Sequence, residues 1–156
     1  MNVVLIAIFG LLGAASAQAQ PVPGHLDHAT HLGASVMPFD LGRSTHVFTP
    51  TRDGIGEVVS KDGDAVQVAL IRGHLRKEAA AFTRGDYADP ASIHGQAMPG
   101  LAALQAGASR VRVRYENMAN GARVRFTTQQ PKLVDALHRW FAAQVNDHGA
   151  DATMRR

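Results

Sequence analysis

Hydrophobic and polar residues alternate in four short segments of the chain, and two longer segments repeat their apolar residues with a helical period. The alternating segments are typical of strands and cover residues 45–49, 56–60, 110–116 and 122–128. A helix is predicted from Asp64 to about Thr83. A second helix is predicted from Pro131 to about Asp147, with Gly149 as its stop.

The order of strand, strand and helix occurs twice, and the second copy follows the first at an offset of 67 residues. Phe48 aligns with Tyr115, for example, and Leu70 aligns with Leu137. We therefore predict an α+β fold in which two strand-strand-helix pseudo-repeats form a four-stranded antiparallel sheet with both helices on one face. Two chains could instead exchange these units, which leaves a homodimer as an alternative.

These patterns divide the chain into a leader, an arm, one domain and a tail. Residues 1–19 combine an apolar run with a small-residue Ala17-Gln18-Ala19 end, which is typical of a secretory signal peptide. Residues 20–41 lack a period and are predicted to form a flexible, His-containing arm. The single α+β domain spans 42–149, with repeat 1 at about 44–83, an insert at 84–108, repeat 2 at about 109–149, and a tail at 150–156.

Composition narrows the chemistry that an exported domain of this kind can use. The chain has no cysteine, so disulfides and thiolate ligands are excluded, and a bound metal would need His, Met or carboxylate ligands. A net charge of +3 spread along the sequence does not favour a nucleic-acid partner. The sequence has no glycine-rich phosphate-binding loop, so nothing in it indicates a nucleotide or other organic cofactor. We expect a periplasmic or secreted protein with no transmembrane anchor after cleavage.

Several polar residues fall at positions where the pattern predicts a buried side chain. His74 and Glu78 lie one turn apart within the apolar half of the first helix, and His148 lies on the buried face of the second. The repeat aligns His46 with Val113 and Glu57 with Val124, so both are predicted to point inward. Because a buried unpaired carboxylate or imidazole is costly, these groups must be paired, bound to a metal or open to water.

The insert adds His94 and Met98 at one-turn spacing, a combination of imidazole and thioether that suits copper. The insert also begins two short helices, at Asp89-Pro90 and Met98-Pro99. We predict a metal-binding or metal-handling protein, with copper favoured over zinc. The predicted ligands come from both repeats and the insert: His46, His74, Glu78, His94, Met98 and His148.

Other interpretations of the same residues stay open. The polar cluster is also compatible with a structural His–Glu pair, or with a small enzyme in which His74 and Glu78 act as an acid–base pair. His25, His28 and His31 form a spaced triad in the arm, which could bind divalent metals loosely or could simply be solvated. A non-catalytic, dimeric interaction module is the third possibility, with a basic outer sheet face formed by Arg110, Arg112, Arg114, Arg123 and Arg125.

Four segments together resemble a family of small exported proteobacterial proteins. They are 39–48, 71–75, 93–101 and 140–149, which include Ile71-Arg72-Gly73-His74-Leu75 and Trp140-Phe141-Ala142-Ala143-Gln144. Members of that family often carry the name aspartate carbamoyltransferase. This chain lacks the Ser-Thr-Arg-Thr-Arg loop that holds carbamoyl phosphate in such enzymes and is about half their length. We therefore do not expect that activity, and we expect a binding protein rather than an enzyme.

Overall fold

The structure, a computed structural model, describes residues 32–52 and 54–155. These residues form a five-stranded mixed sheet and five α-helical segments. In chain order the elements are α1 (32–36), β1 (Ser44–Pro50), β2 (Gly54–Ser60), α2 (Ala65–Thr83), α3 (Ala88–His94), α4 (Leu101–Ala106), β3 (Arg112–Met118), β4 (Gly121–Thr127), α5 (Pro131–His148) and β5 (Ala152–Met154). The predicted signal peptide and the triad His25, His28 and His31 lie outside the described residues.

The α+β class and the two strand-strand-helix units are confirmed. The strand order is β3-β4-β2-β1-β5, with the hairpins β1–β2 and β3–β4 joined by antiparallel pairing of β2 with β4. The prediction of four antiparallel strands is wrong in one respect, because β5 adds a fifth strand parallel to β1. With three residues, β5 is too short to show the alternation from which a strand is recognised.

The side chains of β2 face the opposite way from the prediction. Three residues separate Pro50 from Gly54 in the first hairpin, whereas two separate Met118 from Gly121 in the second. A one-residue difference turns every side chain of a strand to the other face. Glu57 therefore lies on the outer face, where its Oε1 accepts a hydrogen bond from Arg123 Nε at 2.6 Å.

Both long helices lie on the inner face of the sheet and begin where the sequence predicts. The side chain of Asp64 caps α2 by accepting a hydrogen bond from the Gln67 amide, and Pro131 occupies the first turn of α5. Gly149, with φ of 55°, ends α5. Helix α2 packs on β2, β3 and β4, and α5 packs on β1, β2 and β5, so each helix lies mainly on the hairpin of the other repeat.

Part of the predicted arm belongs to the folded domain. Residues 32–36 are helical, and Met37 and Phe39 are buried in the hydrophobic core. The sequence did not predict the burial of Met37 and Phe39, because single apolar residues in an irregular segment give no periodic signal. No helix in the described ranges combines the length and apolar character needed to cross a membrane.

Replacing Gly100 with Ala is expected to reduce the free energy of unfolding by about 2–5 kcal/mol. Gly100 has φ of 86°, and an added Cβ would overlap the carbonyl oxygen of Ala136 in α5. Gly73→Ala is the matched control, because this exposed position in α2 has no heavy atom within 4 Å of an added Cβ. That change should instead stabilise the protein by about 0.5–1 kcal/mol. Urea denaturation of both variants measures the contrast, and a neutral Gly100→Ala would contradict the close approach of α4 to α5.

Candidate functional site

A cavity of about 90 Å³ lies between the inner face of the sheet and the helices α2, α3 and α5. Its walls are mainly apolar and aromatic. Five of the six predicted ligand residues line it: His46, His74, Glu78, His94 and His148. The prediction that polar residues from separate segments meet in the interior is therefore confirmed for these five residues.

Met98 is not part of this cluster. It packs in the hydrophobic core, and its backbone carbonyl accepts a hydrogen bond from the Leu101 amide. The predicted pairing with His94 assumed one continuous helix, but α3 ends at His94 and Gly95 follows with φ of 90°. Because the helix is broken, the four-residue spacing no longer places the two side chains on one face.

The imidazole rings of His46 and His94, from different elements, both contact the ring of His148. The rings of His46 in β1 and His148 at the end of α5 are stacked, with centroids 4.6 Å apart and an interplanar angle of 12°. The His94 ring, at the end of α3, meets His148 edge-on at 4.9 Å. The fold therefore gathers three imidazoles that are distant in sequence.

Asp147 fixes the orientation of the His94 ring. His94 Nδ1 lies 2.9 Å from Asp147 Oδ2, and the His94 side chain is 2% exposed. In the neutral form of His94, a carboxylate beside Nδ1 holds the ring proton on that nitrogen. The same carboxylate–imidazole arrangement orients many histidine ligands of metals.

Burial favours the neutral form of two of the clustered imidazoles, those of His46 and His148. It lowers the pKa of His46 well below the ordinary 6.5, and the neighbouring His148, His74 and His94 lower it further. Burial also lowers the pKa of His148 to about 4, with a smaller contribution from His94. Neutral imidazole is the form that coordinates metals, so the rings of His46 and His148 are available as ligands at neutral pH.

A carboxyl pair lies at another part of the cavity wall. Burial, with a smaller contribution from a hydrogen bond with Asp89, raises the pKa of Glu78 to about 7. Asp89 is held in its charged form by Lys77, whose Nζ donates to Asp89 Oδ2 at 2.7 Å. His74, one turn before Glu78, packs edge-on against Phe39 with ring centroids 5.6 Å apart. Burial, and to a smaller extent the positive charge of Lys77, lowers the pKa of His74 to about 4.

Polar atoms without a hydrogen-bond partner in the described protein are concentrated at this cavity. Four of the five such buried side-chain atoms belong to residues that line it, namely His46 Nδ1, Glu78 Oε1, Trp140 Nε1 and Gln144 Nε2, and the fifth is Tyr87 Oη. No functional role was predicted from the sequence for Asp89 or Trp140. A buried indole N–H that needs a partner was the available signal for Trp140, and no sequence signal indicated the contact of Asp89 with Glu78.

The described residues contain no group of three or more His, Asp or Glu side chains arranged to hold a metal ion as they stand. The stacking of His46 on His148 gives a reason, because nearly parallel rings do not direct their nitrogens toward one point. At least one ring would have to rotate before the three imidazoles shared a metal.

The basic outer face forms as predicted, apart from Arg110, which lies in a short turn before β3. Arg112 and Arg114 on β3 are exposed, and Arg114 lies directly opposite Arg125 on β4. Arg123 pairs instead with Glu57 and Glu116.

Comparison with protein-family models, with curated proteins and with solved structures finds no match to this chain.

Lowering the pH from 6.5 toward 4 is expected to reduce the free energy of unfolding. In the unfolded chain His46, His74 and His148 take up protons near the ordinary pKa of 6.5, whereas the folded protein holds the pKa of His74 and His148 at about 4 and that of His46 well below 6.5. The stability linked to these residues is complete above pH 6.5 and is lost as the pH falls through the folded values.

Glu78 acts in the opposite sense, because its folded pKa of about 7 exceeds the ordinary 4.5. Its contribution is complete below pH 4.5 and is lost as the pH rises through 7, and three histidines outweigh this one carboxyl. Urea denaturation between pH 7 and pH 4.5 measures the net slope. His46→Phe should make the slope shallower, while His138→Gln, outside the cavity and bonded to the Thr51 carbonyl, should leave it unchanged. A stability that rises on acidification would contradict the burial of neutral histidines.

Proposed function

We propose that this protein binds a transition-metal ion, copper ahead of zinc, through His46, His94 and His148. The observation that supports it is the contact of three imidazoles from three separate elements at one cavity. Two further features are favourable: the pKa of His46 and His148 is lowered, and Asp147 orients His94 as carboxylates orient metal-bound histidines. The pattern of residues 1–19 supports a place of action in the periplasm or outside the cell.

The proposal requires a rotation of His148 out of its stack with His46. His148 is the last residue of α5 and is half-buried, so its side chain is less constrained than a ring in the middle of a helix. The rotation breaks the stack with His46 and alters the edge-on contact with His94, and metal coordination by the imidazoles offsets its cost. His74 and Glu78 are assigned no direct ligand role, because Glu78 bonds to Asp89 and His74 packs on Phe39.

The donor set also bears on the choice of metal. With Met98 in the hydrophobic core, the three ligands are all imidazole nitrogens, without the thioether that favours Cu(I). Among divalent first-row ions, nitrogen sites bind Cu(II) most tightly and Zn(II) less tightly. Copper is therefore still favoured over zinc, now because nitrogen ligands prefer Cu(II) and no longer because of the His-x-x-x-Met spacing.

A titration of the tag-free full chain with Cu(II) and Zn(II) tests the proposal. His25, His28 and His31 are replaced by Ala in the background protein, so that the arm does not bind the ions. One ion per chain should bind with a dissociation constant below about 1 μM, measured by calorimetry against a competing chelator. His148→Ala and His94→Ala should each weaken binding at least about 100-fold, because two remaining imidazoles are a poor site.

His138→Ala is the matched control, since His138 also lies on α5 but bonds to the Thr51 carbonyl away from the cavity. It should leave the affinity unchanged, and Asp147→Asn should weaken it about 10- to 100-fold. Equal affinities for the background protein and for its His148→Ala variant would overturn the proposal.

Acid–base catalysis is the second candidate, favoured by the raised pKa of Glu78. A carboxyl group with a pKa of about 7 beside a cavity is half-protonated at neutral pH, which suits a general acid or base. The role predicted for the pair of His74 and Glu78 passes here to Glu78 and Asp89, because the Glu78 proton is shared with Asp89. A carboxyl infrared band that titrates near pH 7 and disappears in Glu78→Gln would support this candidate, and a Glu78 that titrates near 4.5 would remove it.

A further inference from the structure

We propose that the cavity beside α5 binds a compact, neutral organic molecule that carries both a carbonyl-type oxygen and an N–H or O–H group. Trp140 and Gln144 would donate to its oxygen, and Glu78 would accept from its N–H or O–H. The inference does not depend on metal binding, because it uses none of the three clustered histidines.

Two hydrogen-bond donors on α5 lack acceptors. Trp140 is 2% exposed and Gln144 is 8% exposed, and the two residues lie one helical turn apart. Trp140 Nε1 and Gln144 Nε2 have no partner in the described protein, and both residues line the cavity. An indole N–H can only donate, so the group that satisfies Trp140 must be an acceptor.

One acceptor on α2 completes the set. Glu78 is 5% exposed, and its Oε1 has no hydrogen-bond partner in the described protein. The nearest cation, Lys77 Nζ, is 3.9 Å from this oxygen, too far for a hydrogen bond, and instead donates to Asp89. The hydrogen bond between Glu78 and Asp89 leaves Oε1 available as an acceptor, and Glu78 is one of the residues that line the cavity.

The size and charge of the cavity define the class of ligand. A dry protein cavity of about 150 Å³ holds benzene, so this cavity of about 90 Å³ encloses about four non-hydrogen atoms. No Lys or Arg is among the described residues that line it, so a buried anion would lack a counter-ion. Its aromatic walls, including Phe82 and Phe126, favour a ligand with a small apolar part.

Acetamide is a suitable probe, because it has four non-hydrogen atoms, a carbonyl oxygen and an N–H donor. Acetone and acetate have the same size and shape, but acetone lacks the donor and acetate is charged. The chain contains one tryptophan, so the indole N–H resonance of Trp140 reports binding without assignment of other signals. The full chain is titrated with each compound in the presence of a chelator.

Acetamide should shift the indole resonance saturably with a dissociation constant of about 1 mM. Acetone and acetate should bind at least about tenfold more weakly, because each leaves a buried polar atom unpaired or an anion without a counter-ion. The proposal would be overturned if acetamide gave no saturable shift. It would also be overturned if acetone bound equally well, because the site would then recognise only apolar surface. Since no metal is present, either result leaves the histidine proposal standing.

Side-chain variants test the assigned contacts. Gln144→Met keeps the volume of the side chain but removes the amide, and it should weaken acetamide binding at least about fivefold while acetone binding stays constant. Tyr87→Phe is the matched control, because it also removes a buried, unpaired polar atom but at a residue that does not line the cavity. It should leave both affinities unchanged. Unchanged acetamide binding in a folded Gln144→Met variant would also overturn the proposal.

Discussion

The antiparallel pairing of β2 with β4 is the contact on which the rest of the molecule depends. It joins the two hairpins into one sheet, and each long helix then packs mainly on the hairpin of the other repeat. The pairing is close because Gly121 has no side chain, since a Cβ there would overlap the carbonyl oxygen of Val58. Gly54 on the inner face of β2 leaves room for the ring of Phe141, which an added Cβ would overlap. Without the single sheet that this pairing forms, α2 and α5 would not enclose a cavity.

Burial controls the chemistry of that cavity more than any single charge does. It is the first cause of the lowered pKa of His46, His74 and His148 and of the raised pKa of Glu78. All four groups are shifted toward their neutral forms, as expected where ions are poorly solvated. The interior is therefore rich in polar atoms but poor in charge, which suits coordination of a cation by neutral nitrogens and hydrogen bonding to a neutral molecule.

The two proposals assign different parts of one cavity to different partners. The imidazole cluster has lone pairs and a carboxylate that orients one ring, which is the chemistry of metal coordination. Trp140 and Gln144 offer hydrogen-bond donors, which do not coordinate cations. The separation follows from the elements that supply the groups: the histidines come from the ends of α3 and α5 and from β1, while Trp140, Gln144 and Glu78 come from the interiors of α5 and α2.

The sequence by itself determined the two long helices, the four main strands and the inward direction of His46 and His74, because caps, periodicity and alternation are local properties. It also identified Glu78 and His148 as polar residues on buried faces. Only the tertiary structure decided the orientation of Glu57, because one extra residue in the first hairpin loop turned β2 over. It also decided the position of Met98, because α3 ends at His94 and Met98 therefore lies outside the site. The contact of Asp89 with Glu78 and the pairing of β5 with β1 were also decided by the tertiary structure. Contacts between distant segments depend on how the elements pack, and they produce no periodic pattern in the sequence.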